Sequence, residues 1–289
     1  MIEIFVTHYS DETCPELEAL TLETVRAIAK TTFTKHRVTV IGYTSTETLW
    51  HKLAAELIPL DVRPIRHVSK VGRPDRPPSI RNRVVNIVRG GTYSPFVLLH
   101  NDVQPAHGWL DRLVKDLRWA EDRWGFGSSI VTPRLVPYES STMIGQIIGT
   151  RVLARPRMNA WCLKHRVERK EDGRLACPRW APPSDDGHQL TQFIARPVFF
   201  DQVGPCDETF EGINYDDSDW GIRALLAGKH SLISTTGLVG HAEGTTAGVR
   251  GDGEKEIALN RARYVEKWGE RGLEELHTGA VWRQLRDGG

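Results

Sequence analysis

The run Pro95-Phe96-Val97-Leu98-Leu99 is short, wholly apolar and bounded by turn residues. Side chains alternate between the two faces of a strand, so a run that is apolar throughout has no face to give to water. It must lie in the middle of a sheet with cover on both sides, which restricts the chain to a layered α/β architecture. The flanking sequence agrees. Ile2 to Thr7, Arg37 to Gly42 and Val62 to Val68 read as strands. Pro15 to Lys30 and Thr48 to Leu57 read as helices, with Pro15 near a helix start. After a proline-rich loop (Gly72 to Pro78), Ile80, Val84, Ile87 and Val88 share one helical face. Trp109 to Trp119 reads as a further helix and Phe126 to Val131 as a strand. Such alternation predicts a mostly parallel, Rossmann-like central sheet with helices on both faces. Ligands then bind beyond the carboxyl ends of the strands, where Asn101 and Asp102 follow the apolar run.

From Pro133 to Gly187 the alternation stops. This stretch holds Pro133, Pro137, Pro156, Pro178, Pro182 and Pro183, and reads as an irregular insertion that could form an acceptor-binding subdomain. Order resumes at Gln189 to Phe200 and continues with a strand at Ser231 to Ser234. Gly240 to Glu254 is glycine-rich, and Ile257 to Trp268 is helical. The expected organisation is one domain over 1–269 and a C-terminal tail over 270–289.

The net charge of +1 implies no partner by itself, but its distribution is uneven. Asp61 to Gly90 carries eight Lys/Arg against two acids, and Arg151 to Trp180 nine against three. Asp201 to Trp220 carries seven acids and no Lys/Arg. An acidic site flanked by basic surface suits a phosphate-bearing ligand, although solvated charged faces give the same pattern. No apolar run approaches the ~20 residues of a membrane span. The N-terminus also lacks the basic segment of a signal peptide, so a cytoplasmic location is expected. Four cysteines are too few and too scattered for a disulfide scaffold. Cys162, His165, Cys177 and His188 have the ligand types of a zinc site but lack its second close pair.

Two motifs carry chemistry. The apolar run ends in His100-Asn101-Asp102, and Asn214-Tyr215-Asp216-Asp217-Ser218-Asp219-Trp220-Gly221-Ile222-Arg223 places three carboxylates within four residues. Three mutually repelling acids gain little on a plain surface helix but can serve a cation or a hydroxyl proton. In a helix starting near Tyr215, Asp216, Asp219, Trp220 and Arg223 share a face, while Asp217 points about 100° away. The simpler alternatives are that Asp102 caps a turn and that the acids complement the helix dipole.

Together these motifs resemble the family 2 glycosyltransferases of the GT-A fold. That family pairs a short acidic metal motif after a strand with a later Glu/Asp-Asp-x-Asp-x-x-x-Arg patch. The resemblance covers roughly Met1 to Gly269, most closely at Pro95 to Leu110 and Phe199 to His241. It implies an inverting glycosyltransferase using a nucleotide-sugar donor and Mn²⁺ or Mg²⁺. Asp217 would be the general base, with Asp216 and Asp219 in the same catalytic patch. Asp102, His241 and His100 would be the metal ligands. His100 stands where the family has its first acid, a departure that leans towards Mn²⁺, because imidazole suits it better than Mg²⁺, or towards weaker metal dependence. Donor contacts would come from Thr7, Tyr9, Tyr43, Arg81, Asn101, Asp102 and Arg250. Acceptor contacts would come from Trp220, Arg223 and Trp180. The second strand lacks the acid that reads the nucleobase in the family, and Tyr43 offers a stacking surface instead.

The family's usual acceptor is a saccharide or lipid-linked saccharide. The basic, aromatic-interleaved segment from Arg151 to Trp180 leaves a hydroxylated base in DNA as an alternative. A non-catalytic nucleotide-sugar or nucleic-acid binding module is the rival from another class. Nucleotidyl transfer ranks last, since no glycine-rich phosphate loop with Arg and Lys lies near the N-terminus.

Overall fold

In the computed structural model the described residues are 1–10, 16–44, 46–68, 77–91, 93–137, 183, 190–210, 214–241 and 253–276. Three parallel strands come first: β1 (Ile2–Ser10), β2 (His36–Thr44) and β3 (Val62–Arg66). They are joined by α1 (Glu16–Thr31) and α2 (Glu47–Leu57). Next come α3 (Pro77–Arg89), β4 (Phe96–Leu99), β5 (Val103–Pro105), α4 (Trp109–Trp124) and β6 (Ser129–Pro137). The remainder comprises β7 (Phe193–Ala195), α5 (Phe199–Val203), α6 (Asp216–Leu226), β8 (His230–His241) and α7 (Gly253–Leu276).

The eight strands form one sheet in the order β3-β2-β1-β4-β7-β6-β8-β5. Four pairings are parallel and three antiparallel, the latter all involving the short strands β5 and β7. β4 sits between β1 and β7, the central position its composition demands. Its side chains divide strictly by parity. Val97 and Leu99 join the core under α1, α2 and α4, with Val25, Trp50 and Leu113. Phe96 and Leu98 join the opposite core under α3, α5 and α6, with Val84, Phe200 and Trp220. Removing each such side chain from water contributes about 1.5–3 kcal/mol.

The structure departs from the sequence reading on the far side of the sheet. β8 runs for twelve residues, not the four from Ser231 to Ser234. The apparent break at Thr235-Thr236-Gly237 is an irregularity within the strand. Its pairing with β6 jumps from Thr132↔Ile233 to Arg134↔Leu238. The Ser234 hydroxyl accepts the backbone N–H groups of Thr236 and Gly237, at 3.4 and 2.7 Å, so they are not left orphaned. A Cβ at Gly237 would lie 2.8 Å from both Leu113 Cδ2 and Ser234 Oγ, so a larger residue here would have to displace those side chains. β6 likewise continues past Pro133 to Pro137. β5 was not anticipated, because three residues carry too little periodicity to read. α7 kinks at Gly269, whose φ of 77° interrupts its helical backbone.

Candidate functional site

The carboxyl ends of β1, β2 and β4 lie together at one edge of the sheet, as their parallel register requires. Beyond β4, the chain turns through His100, Asn101 and Asp102 into β5. β5 pairs antiparallel with the end of β8, with Val103 opposite His241. This pairing joins residues far apart in sequence. One ligand atom each from His100, Asp102 and His241 lie within 4.8 Å of one another. Asp102 Oδ1 is buried, makes no hydrogen bond and lies 3.3 Å from His241 Nε2. Loss of solvation drives the pKa of His100 down to about 3, so its imidazole is neutral and able to ligate. Burial opposes ionisation of Asp102, but His241 and then His100 hold its pKa below the usual value. A neutral imidazole, an ionised carboxylate with an unbonded oxygen and a second imidazole fit a divalent transition-metal ion.

The turn carrying these groups is tied to α1. Thr24 Oγ1 lies 2.7 Å from the carbonyl of Asn101 and 3.0 Å from that of Val103, and accepts the Val103 N–H at 3.1 Å. Thr21 donates to the Leu17 carbonyl at 2.9 Å and accepts from the Asn101 amide at 3.2 Å. With its one hydrogen spent, Thr21 must also accept from His8 Nδ1 at 2.7 Å. His8 Nε2 therefore accepts from Ser10, 3.0 Å away. Sequence reading missed this network. Its signal was two threonines at helical spacing within the otherwise apolar stripe of α1.

The acidic patch opens α6 after two consecutive non-glycine residues in the left-handed region, Asn214 (φ 67°) and Tyr215 (φ 70°). Three carboxylates are buried in its first turn: Asp216, Asp217 and Asp219. Two of them are neutralised. Asp216 forms a buried ion pair with Arg81 of α3. Asp219, wholly buried, accepts from Arg223 Nε at 3.0 Å, Trp268 Nε1 at 2.9 Å and Lys267 Nζ at 2.8 Å. Asp217 has no ion-pair partner among the described residues. Burial and then the neighbouring charge of Asp216 raise its pKa to about 6, against the opposing pull of Arg81. Arg81 acts electrostatically on His100 as well as on Asp217.

Several expected roles change in this light. Trp220 is no stacking surface for an acceptor. It is fully buried against Phe193 and Phe200 and donates to the Gly204 carbonyl at 3.0 Å. Arg223 bonds Asp219 and, at 3.0 Å, the Val203 carbonyl, so Asp219 orients Arg223. The Asn101 amide NH₂ is turned onto α1, and Arg81 pairs with Asp216 through Nη1. Thr7 bonds the Leu99 carbonyl at 3.2 Å. Tyr9 and Tyr43 occupy paired positions at the ends of β1 and β2 and stack at 5.6 Å and 27°. Trp180, Arg250 and the cysteines and histidines of the zinc alternative (Cys162, His165, Cys177, His188) lie outside the described residues.

Known proteins share this architecture. The chain is similar in structure to GalNAc-T7 solved with UDP, GalNAc and Mn²⁺, with a TM-score of 0.55 at 13% identity. That match covers 83% of this chain but only 43% of the length of GalNAc-T7. A mannosyltransferase of Pyrobaculum calidifontis, PcManGT, in complex with GDP-Man and Mn²⁺, gives 0.53 at 16% identity. It matches over 99% of this chain and 72% of its own. S. aureus TarS (residues 1–349) gives 0.50 at 12% identity, over 99% and 81%. The chain has the GT-A fold. At such identities the likeness is one of architecture. No protein-family model and no curated protein sequence matches the chain. The His100–Asp102–His241 trio lies where the turn after β4 meets the end of β8. Among the described residues, no helix is long and apolar enough to cross a membrane.

Proposed function

We propose that this chain is an inverting glycosyltransferase that moves a sugar from a nucleotide-diphosphate donor to an acceptor hydroxyl on a saccharide or lipid-linked saccharide. The observation that carries this reading is the presence, on a GT-A fold, of a His100–Asp102–His241 donor set and of a buried carboxylate, Asp217, that has no ion-pair partner among the described residues. Two proteins of similar fold, GalNAc-T7 and PcManGT, are complexes with Mn²⁺ and with UDP or GDP-Man, which supports a donor and an ion of the same classes here. His100, Asp102 and His241 would hold the ion, Mn²⁺ in preference to Mg²⁺, and bound there it would neutralise the leaving diphosphate. The stacked Tyr9–Tyr43 pair offers its face to the nucleobase.

Asp217 takes the proton of the acceptor hydroxyl as that oxygen attacks the anomeric carbon. The bond from that carbon to the diphosphate oxygen breaks, and its electron pair leaves with the nucleotide. Attack opposite the leaving group inverts the anomeric centre. A pKa near 6 leaves Asp217 ionised at neutral pH yet far more basic than an ordinary aspartate, as general-base work requires. Asp216 sustains that basicity by charge, and Arg81 keeps it from rising further.

Thermal-shift measurement against UDP-, GDP-, dTDP- and CDP-sugars, each with and without Mn²⁺, tests the donor site. The expected result is stabilisation that needs both the ion and one nucleotide, and that is lost in Asp102→Asn. Absence of any shift with all four donors would overturn the reading and favour a module that binds something else.

A further inference from the structure

Resting on that reading, we propose that the C-terminal helix α7 positions the general base. Asn260 and Lys267 fix the left-handed turn from which Asp217 is presented. Asn260, Tyr264, Lys267 and Trp268 follow the i, i+4, i+7, i+8 spacing, which places them on one helical face. Each of them meets a residue of the acidic turn or the residue that supports it. Asn260 is fully buried and donates to the Asn214 carbonyl at 3.1 Å. Tyr264, also fully buried, packs on Tyr215 with ring centroids 5.4 Å apart. Lys267 Nζ bridges Asp219 Oδ1 at 2.8 Å and Asp207 Oδ2 at 2.7 Å. Trp268 Nε1 donates to the same Asp219 oxygen at 2.9 Å, and the Asp219 N–H closes the turn on the Tyr215 carbonyl at 2.8 Å.

These contacts address a specific difficulty. Two successive non-glycine residues with positive φ are unfavourable, and they persist only where the surroundings over-determine them. Here one left-handed residue is gripped through its carbonyl and the other through its ring. The first carboxylate-bearing turn is then pinned at Asp219. Asp217 lies between the gripped and the pinned points, with its own carbonyl 3.4 Å from the Leu190 N–H. Its direction is therefore set by contacts that never touch a substrate. α7 makes a small apolar core of its own with α6, through Phe210, Ile222, Leu225 and Tyr264, so the grip has a rigid base.

The test compares Asn260→Ala, Lys267→Met and Lys267→Arg in the full chain by two readouts. Amide exchange over residues 214–220 reports the turn, and kcat against donor KM reports the chemistry. Asn260→Ala and Lys267→Met are expected to speed exchange locally. They should lower kcat by roughly tenfold or more, with donor KM and the Mn²⁺-dependent thermal shift unchanged. Lys267→Arg should restore most of kcat. Unchanged exchange in both loss variants, or faster exchange with wild-type kcat, overturns the proposal. So does an equal loss of donor binding, which would mark a general loss of structure. Wild-type protein with no transferase activity would refute the proposed function instead. The exchange data would then decide by themselves whether α7 holds the turn.

Discussion

The metal-ligand corner and the acidic turn of α6 both gather polar groups at the edge of the sheet, but they are built on opposite plans. At the corner, neutral hydrogen bonds hold the Asn101–Val103 backbone at Thr24 and the Asn101 side chain at Thr21, while an oxygen of Asp102 is left without a hydrogen bond. At the turn, full charges hold the side chains, and Arg81, Arg223 and Lys267 neutralise two of the three acids. A buried charge is costly unless it is paired, so an acid cluster in the interior tends towards neutralisation. The one carboxylate left out is then identified by subtraction. Under the proposed function Asp217 is the reactive member, because its neighbours Asp216 and Asp219 are already paired.

The sharpest test of this contrast separates Asp217 from Asp219. Asp217→Asn should lower kcat by about 10²–10⁴-fold, the usual contribution of a general base, while leaving the fold intact. Its pH signature has a definite sign. The folded carboxyl, with a pKa near 6, binds its proton more tightly than the unfolded chain. Folding stability from this group therefore falls as pH rises from about 4 to about 6. Activity climbs over the upper part of the same interval, as Asp217 ionises. Denaturant titrations at several pH values should show that slope in the wild type and lose it in Asp217→Asn.

Asp219→Ala should do the reverse, destabilising the protein by about 1–3 kcal/mol because Arg223, Lys267 and the Trp268 N–H lose the acceptor they share. Urea unfolding measures this. A variant as stable as wild type, but inactive, would break the assignment of Asp219 as an anchor. The smallest effect belongs to the corner. Thr24→Val should weaken Mn²⁺ binding by roughly 10–100-fold, the range for groups that orient a ligand from behind, and calorimetry would detect it. An unchanged affinity would mean that the turn needs no support from α1.

Much of this was legible in the sequence. The doubly apolar β4 and the helical face of α3 identified the layered fold, because burial on both sides leaves a direct trace in composition. The acidic motif was legible as a cluster, but the fate of each member was not. The partners of Asp219 on α7 lie about fifty residues downstream, and no local pattern announces a pairing at that range. Trp220 reads equally well as a sugar platform or as core until its neighbours Phe193 and Phe200 are known. Nor did the sequence reading measure β8, since Ser-Thr-Thr-Gly is the composition of a turn and here is an irregularity within a strand.

That irregularity has a consequence for how the site can change. His241 is the last residue of β8, and the extra residues from Ser234 to Gly237 lie between it and the start of the strand. Strand side chains alternate, so lengthening or shortening this segment by one residue inverts the phase of everything after it. A single deletion that shifted the pairing of Leu238–His241 by one residue would turn His241 to the other face of the sheet and dissolve the trio without touching any of its members. Point substitutions can tune the corner gradually, whereas a change in length can only switch it off.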